Sequence, residues 1–147
     1  MKQPSKILVP IDFSESSAKA LKEAMEIAEG GSTEVILLHV INEEIIQCAD
    51  AYCLDEATIN SIKAQSKEKA LKHLVDLSQK LNASHNVKVL PMVRVGVPYV
   101  EIIEEQKKSG VDLIIMSHLR TGVSKFILGS VTEKVLKGAD CPVLLIR

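Results

Sequence analysis

The sequence contains no tryptophan, two tyrosines and two phenylalanines, too few rings for a platform on which nucleic-acid bases could stack. It has almost no charge excess: 18 Lys and Arg against 19 Asp and Glu leave a formal net charge of -1. That balance excludes a general attraction to DNA or to anionic lipid, so neither nucleic acid nor membrane is an expected partner. No apolar run approaches a bilayer span, and the start, Met1-Lys-Gln-Pro-Ser-Lys-Ile-Leu-Val, lacks the apolar segment of a secretion signal. The three cysteines are odd in number and scattered, as expected for reduced thiols, and a cytoplasmic location is expected. Cys48 and Cys53 have no second pair, and His39, His73 and His85 are placed on a strand, a long helix and a turn, without ligand spacing. No metal site is therefore expected. P-loop, nucleophile-elbow and His-Glu-x-x-His sequences are absent, and no catalytic residue is assigned.

What is present is 46% apolar content in 147 residues, enough for one domain spanning 1–147. Lys6 to Asp12 reads as a short buried strand, and Ser14 as the N-cap of a helix over 16–29 with apolar residues at Ala18, Leu21, Ala24, Met25 and Ala28. Gly30-Gly31 ends that helix, and Thr33 to Ile41 is a second buried strand. Asn42 to Asp55 shows no period and reads as a long crossover loop. A helix over Glu56 to Leu81 carries a stripe through Ile59, Ile62, Leu71, Leu74, Val75 and Leu81, and Asn82 to Asn86 breaks it. Val87 to Val95 is the third strand, ended by Gly96. Pro98 opens a helix that continues through Ile102, Ile103 and Gln106 and stops at Ser109-Gly110. Val111 to Met116 is a fourth strand, Ser130 to Lys137 a helix, and Pro142 to Ile146 the last strand. Cys141 reads as a small half-buried filler.

Five strands alternating with helices imply an α/β fold, a doubly wound parallel five-stranded sheet with helices on both faces. Right-handed crossovers then set the first and fourth strands side by side, with a ligand crevice at their carboxyl ends, where Asp12 and Met116 to Leu119 fall. A response-regulator receiver shares this layout, but its paired acids and strand-ending lysine are not evident here. Ser130 and Glu133 have capping-box spacing, so a strand end, a polar turn and a fresh helix N-terminus meet near one point, a natural anion site.

Within this stretch the chain resembles the universal stress protein family, whose nucleotide loop reads Gly-x-x-Gly, nine residues, then Gly-Ser or Gly-Thr. Gly129-Ser130 match the last element, and His118 matches the histidine often found between the first two glycines. Met116 and Leu119 stand where those glycines belong. The Val-Pro-x-Asp end of the first strand and the terminal Cys-Pro-Val-Leu-Leu-Ile extend the resemblance over the whole chain. It implies a provisional nucleotide set of Pro10, Asp12, Val40, Met116, Ser117, His118, Gly129, Ser130, Val131 and Thr132. It also implies an adenine end at Asp12 and Val40, with phosphates at Ser117, His118, Gly129 and Ser130.

Each of these residues has a plain structural alternative. Asp12 fits a helix-entry turn as well as an adenine or ribose contact, and the two readings weigh the same. Val40 reads first as a core valine. Ser130 is expected to cap its helix whether or not phosphate is bound. His118 has no orienting acid nearby. Glycines at 116 and 119 would have let backbone approach phosphate; a methionine and a leucine oppose it. Arg120 and Lys125 keep the loop basic, and Gly122, shifted by three residues, restores some local freedom without replacing both glycines.

The resemblance thus implies a stress-response binding and regulatory module without tight ATP binding and with no required cofactor. The alternative is a nucleotide sensor that takes ATP or AMP. Slow ATP hydrolysis is disfavoured, since only Asp12 is placed to hold magnesium. Val143, Leu144, Leu145 and Ile146 form an apolar strand expected at a sheet edge, which favours a homodimer with two such edges antiparallel.

Overall fold

A computed structural model describes residues 2–42, 54–117 and 128–147. Its strands are β1 (Lys6–Pro10), β2 (Glu34–Asn42), β3 (Lys88–Gly96), β4 (Leu113–Ser117) and β5 (Val143–Ile146). The helices are α1 (Glu15–Ala28), α2 (Glu56–His85), α3 (Pro98–Ser109) and α4 (Ser130–Gly138). The sheet runs in the order β3-β2-β1-β4-β5 with every neighbouring pair parallel, so the order reverses between β1 and β4. This is the expected doubly wound arrangement.

Alternation along β1 divides the core. Ile7, Val9 and Ile11 belong to one apolar cluster with Ala20, Leu21, Ala24 and Met25 of α1 and Leu74 of α2. Leu8 belongs to the other, with Ile36, Leu38, Ile114, Met116, Ile102 of α3 and Val135 of α4. Period-two side chains that find apolar cover on both faces explain the unbroken runs Val35–Leu38 and Leu113–Met116. Ser14 caps α1 by accepting from the Ser17 N–H at 3.2 Å, as its sequence position predicts. Gly110 ends α3 at φ 66°, a left-handed position that glycine adopts without steric cost.

Several sequence expectations are corrected. β1 ends at Pro10 rather than Asp12. The long helix does not break at Asn82: it continues to His85, which is therefore helical rather than in a turn, and Asn86 closes it at φ 53°. Asn82 stays in the helix because its side chain accepts the Val89 N–H at 2.7 Å, tying α2 to β3. The buried stripe of α2 is Ala70, Leu74 and Ser78, whereas Ile62 and Leu71 are exposed. Its apolar contacts with the core cluster come from Leu74, Leu77 and Leu81. Most of the expected 42–55 loop lies outside the described residues; Asn42 itself ends β2, and Asp55 caps α2 through the Thr58 N–H.

One strongly polar cluster fixes α3 to the sheet. Arg94 of β3 binds Glu101, Glu104 (3.0 Å) and Glu105 (2.8 Å) of α3, and the Glu105 side chain is only 2% exposed. Ser109 donates a further bond to Glu105 at 2.6 Å. Burial alone would lower the Arg94 pKa, but the bonds from Glu101 and Glu105 outweigh it and hold the guanidinium above its usual value. Gly96 makes the arrangement fit, because a Cβ there would collide with the Glu101 carboxylate. At the outer edge of the sheet β3 also carries Pro91, which supplies no backbone N–H.

Candidate functional site

A cleft of about 230 Å³ opens where β1 and β4 part. It lies at the carboxyl ends of the central strands, where open α/β sheets hold their ligands. The end of β1 contributes Pro10, Ile11 and Asp12; β2 contributes Leu38, His39, Val40 and Asn42; β4 contributes Met116 and Ser117. Pro98 and Ile102 of α3 close one side, and Gly129 with Ser130, Val131 and Thr132 of α4 close the other. Nine of the ten provisional positions thus line one cleft. The tenth, His118, lies outside the described residues, as do Leu119, Arg120, Gly122 and Lys125.

Asp12 follows β1 and turns the chain into α1. Ser14 donates both its N–H (3.0 Å) and its hydroxyl to Asp12 Oδ1. Burial pushes the Asp12 carboxyl up, but the bonds from Ser14, with Ser17 beside it, win and leave the pKa below the usual carboxylate value. Asp12 is therefore an anion at neutral pH; it organises the helix entry, as one reading of the sequence expects, and it also lines the cleft.

Met116 is 6% exposed and shares the apolar cluster of Ile102 and Val135. Its side chain completes the core at the strand end while the cleft stays open beside it. Thr132 donates to the Ser117 carbonyl at 3.4 Å, joining α4 to the end of β4.

The capping box does not form. Gly129, not Ser130, is the N-cap, and no side chain caps α4. Ser130 is the first helical residue, and Glu133 binds Lys137 one turn on, at 2.9 Å. An (i, i+4) lysine competes successfully for a carboxylate that has no capping partner. The first backbone N–H groups of α4, as at any helix start, have no intrahelical acceptors, and they lie beside the cleft. Gly129 has φ -61°, which any residue adopts, so a turn does not require glycine there.

Sequence reasoning missed two neighbours of Asp12. Phe13 holds φ 63°, a left-handed conformation that costs a residue with a Cβ about 1–2 kcal/mol. Its ring stacks on His73 of α2 (centroids 4.4 Å apart, 15° between planes) and leans on His39 of β2 (4.7 Å, 41°). His39 Nδ1 lies 2.7 Å from the Ile11 carbonyl, so Nδ1 carries the proton and donates. The residue after a strand-ending aspartate was the available signal, but its partners are distant in the chain.

Among the described residues no group of three or more His, Cys, Asp or Glu could hold a metal ion. No described helix is long and apolar enough to cross a membrane. Cys141 is half-buried beside the second cluster, and burial pushes its thiol up.

The universal stress protein family model matches residues 4–147. A universal stress protein of Methanocaldococcus jannaschii, MJ0577, is 37% identical, with 97% of this chain and 94% of the relative covered. YxiE, a universal stress protein of Bacillus subtilis, is 34% identical, with 97% and 99% covered. The solved structure of MJ0577 superposes with a TM-score of 0.83 at 36% identity, covering 98% of this chain and 96% of that one. Two more distant structures share the fold: a universal stress protein in complex with cAMP (TM-score 0.67, 19% identity, 99% and 98% covered) and one from Arabidopsis thaliana with AMP bound (0.66, 21%, 97% and 91%). With the sheet order, the switch-point cleft and these matches in agreement, the chain belongs to the universal stress protein family.

Proposed function

We propose that this protein is a dimeric, cytoplasmic, non-catalytic stress module whose cleft recognises an adenine nucleotide by its nucleoside end and holds ATP only weakly. The observation that carries this reading is the charge of the lining: among the described lining residues Asp12 is the one carboxylate and it is an anion, no lysine or arginine lines the cleft, and the His39 ring is bound through Nδ1 to the Ile11 carbonyl. A carboxylate suits the amino group of a base or the hydroxyls of a ribose, and repels a triphosphate. Nearby lysines of α4 are otherwise engaged, Lys134 over the Tyr99 ring at 4.7 Å and Lys137 with Glu133. The cAMP and AMP complexes of distant members fit a nucleotide with one phosphate.

Calorimetric titration of nucleotide-free protein with adenosine, AMP and ATP tests it. The three ligands should bind within about tenfold of one another, a spread of about 1.4 kcal/mol. ATP bound at one site per subunit about a hundredfold tighter than adenosine overturns the reading.

The open N-terminus of α4 favours a second reading, an ATP or AMP sensor with phosphates at Ser117, Gly129 and Ser130. Nucleotide released when freshly purified protein is denatured supports that reading over the first. The dimer reading draws on β5, a short edge strand with Leu144 37% exposed and Leu136 of the adjoining α4 39% exposed. Light scattering that gives a monomer at micromolar concentration removes it.

A further inference from the structure

We propose that Phe13 is a positioning residue: in ring contact with both His39 and His73, it sets the Asp12 turn and ties that side of the cleft to the long helix α2. Three observations meet here. Phe13 holds a left-handed backbone that a phenylalanine does not choose by itself, so something outside the turn must hold it. The ring, although 40% exposed, is contacted by two imidazoles, one of the sheet and one of α2. The sheet-side imidazole is itself fixed, since His39 Nδ1 donates to the Ile11 carbonyl one residue before Asp12.

The chain from Ile11 to Ser14 is consequently held at both ends. The Ile11 N–H donates to the Leu38 carbonyl at 2.8 Å, and Ser14 donates to the Asp12 carboxylate at the start of α1. Between these anchors the direction of the Asp12 side chain depends on the peptide that Phe13 orients. His73 is exposed on α2 and does not line the cleft, so its influence on Asp12 must pass through the ring. Phe13 is 40% exposed yet two imidazoles pack against its ring, and it is not among the residues that line the cleft, which makes it a support and not a surface for stacking a base.

The consequence for ligand binding rests on the nucleotide reading above; the effect on the Asp12 turn does not. The test measures the two separately, in the full-length protein, with His73→Ala, His73→Phe and Phe13→Gly. Phe13→Gly removes the ring but adopts the left-handed backbone readily, so it isolates the ring from the strain. The first measurement follows the Asp12 carboxyl carbon by NMR through an acid titration. In the native protein the midpoint lies below the usual carboxylate value; His73→Ala and Phe13→Gly should raise it as the Ser14 bonds loosen, and His73→Phe, which can still stack, should not. The second is adenosine affinity, expected to fall about three- to tenfold in the first two variants, as for loss of an aromatic contact, and to hold in His73→Phe.

An unchanged Asp12 midpoint in both His73→Ala and Phe13→Gly overturns the proposal. So does a raised midpoint accompanied by equal loss of exchange protection at the buried Val9 amide, which marks general loosening. A raised midpoint in a protein that binds no adenosine supports the positioning role and defeats the nucleotide reading. Adenosine binding with an unmoved midpoint does the reverse.

Discussion

Arg94 offers the sharpest test of how α3, and with it one wall of the cleft, is held. Replacing it with methionine keeps most of the apolar stem and removes the cation facing three carboxylates. Glu104 is 58% exposed and can return to water, but Glu105 is 2% exposed and would keep only its bond from Ser109. Leaving a buried charge without its partner costs about 3–5 kcal/mol. The guanidinium is itself 23% exposed, which places the expected loss near the lower end, about 3 kcal/mol. For a chain of this size that lowers the melting temperature by about 6–12 °C. Urea unfolding followed by circular dichroism measures the loss. The double variant Arg94→Met/Glu105→Leu removes the stranded charge and should recover about 1–2 kcal/mol. A loss under about 1 kcal/mol, or no recovery in the double variant, would refute the claim that the cluster is a buried ionic clamp.

Four further outcomes follow from the fold. Ser14→Ala removes the α1 cap and should cost about 1 kcal/mol in thermal or urea unfolding. Because the folded Asp12 pKa is depressed, its contribution is present above the unfolded value near 3.8 and is lost as pH falls through the lower folded value. Melting curves of the native protein should therefore show no Asp12-dependent change between about pH 5 and 8, and the deficit of Asp12→Asn should disappear only in strong acid. Gly96→Ala pushes the Glu101 carboxylate off Arg94 and should destabilise by about 1–2 kcal/mol, an effect that vanishes in an Arg94→Met background. Leu144→Lys on β5 should leave the fold intact and shift light scattering to the monomer mass; an unchanged dimer locates the subunit contact elsewhere.

The sheet was legible because burial on both faces leaves no room for polar residues. Val35–Leu38 and Leu113–Met116 could hardly be anything else, and their alternation with helices dictated the β1–β4 junction and the cleft beside it. Local signals became unreliable where two arrangements compete at the same spacing. Ser130 and Glu133 have the separation of a capping box, yet Lys137 lies as near to Glu133 along the helix and carries the opposite charge. In α2, apolar residues at Ile62 and Leu71 look like core, but the buried positions of that helix are Ala70, Leu74 and Ser78, with Leu77 and Leu81 partly buried against the same cluster. Phe13, His39 and His73 were invisible as a group, since three elements distant in sequence must pack before the rings meet. Arg94 and its glutamates were hidden likewise, because a charged residue in a strand reads as solvent-facing until α3 is laid across it.

The two margins of the sheet differ in what they offer a newcomer. On one side Pro91 withholds a donor and Lys88 and Arg94 bring charge; on the other, four aliphatic residues run uninterrupted. A molecule with two equally receptive sides could add copies without limit and grow into a fibre. One receptive side, meeting its own likeness across a twofold axis, would be used up by the first encounter, so the dimer proposed through β5 would be self-terminating.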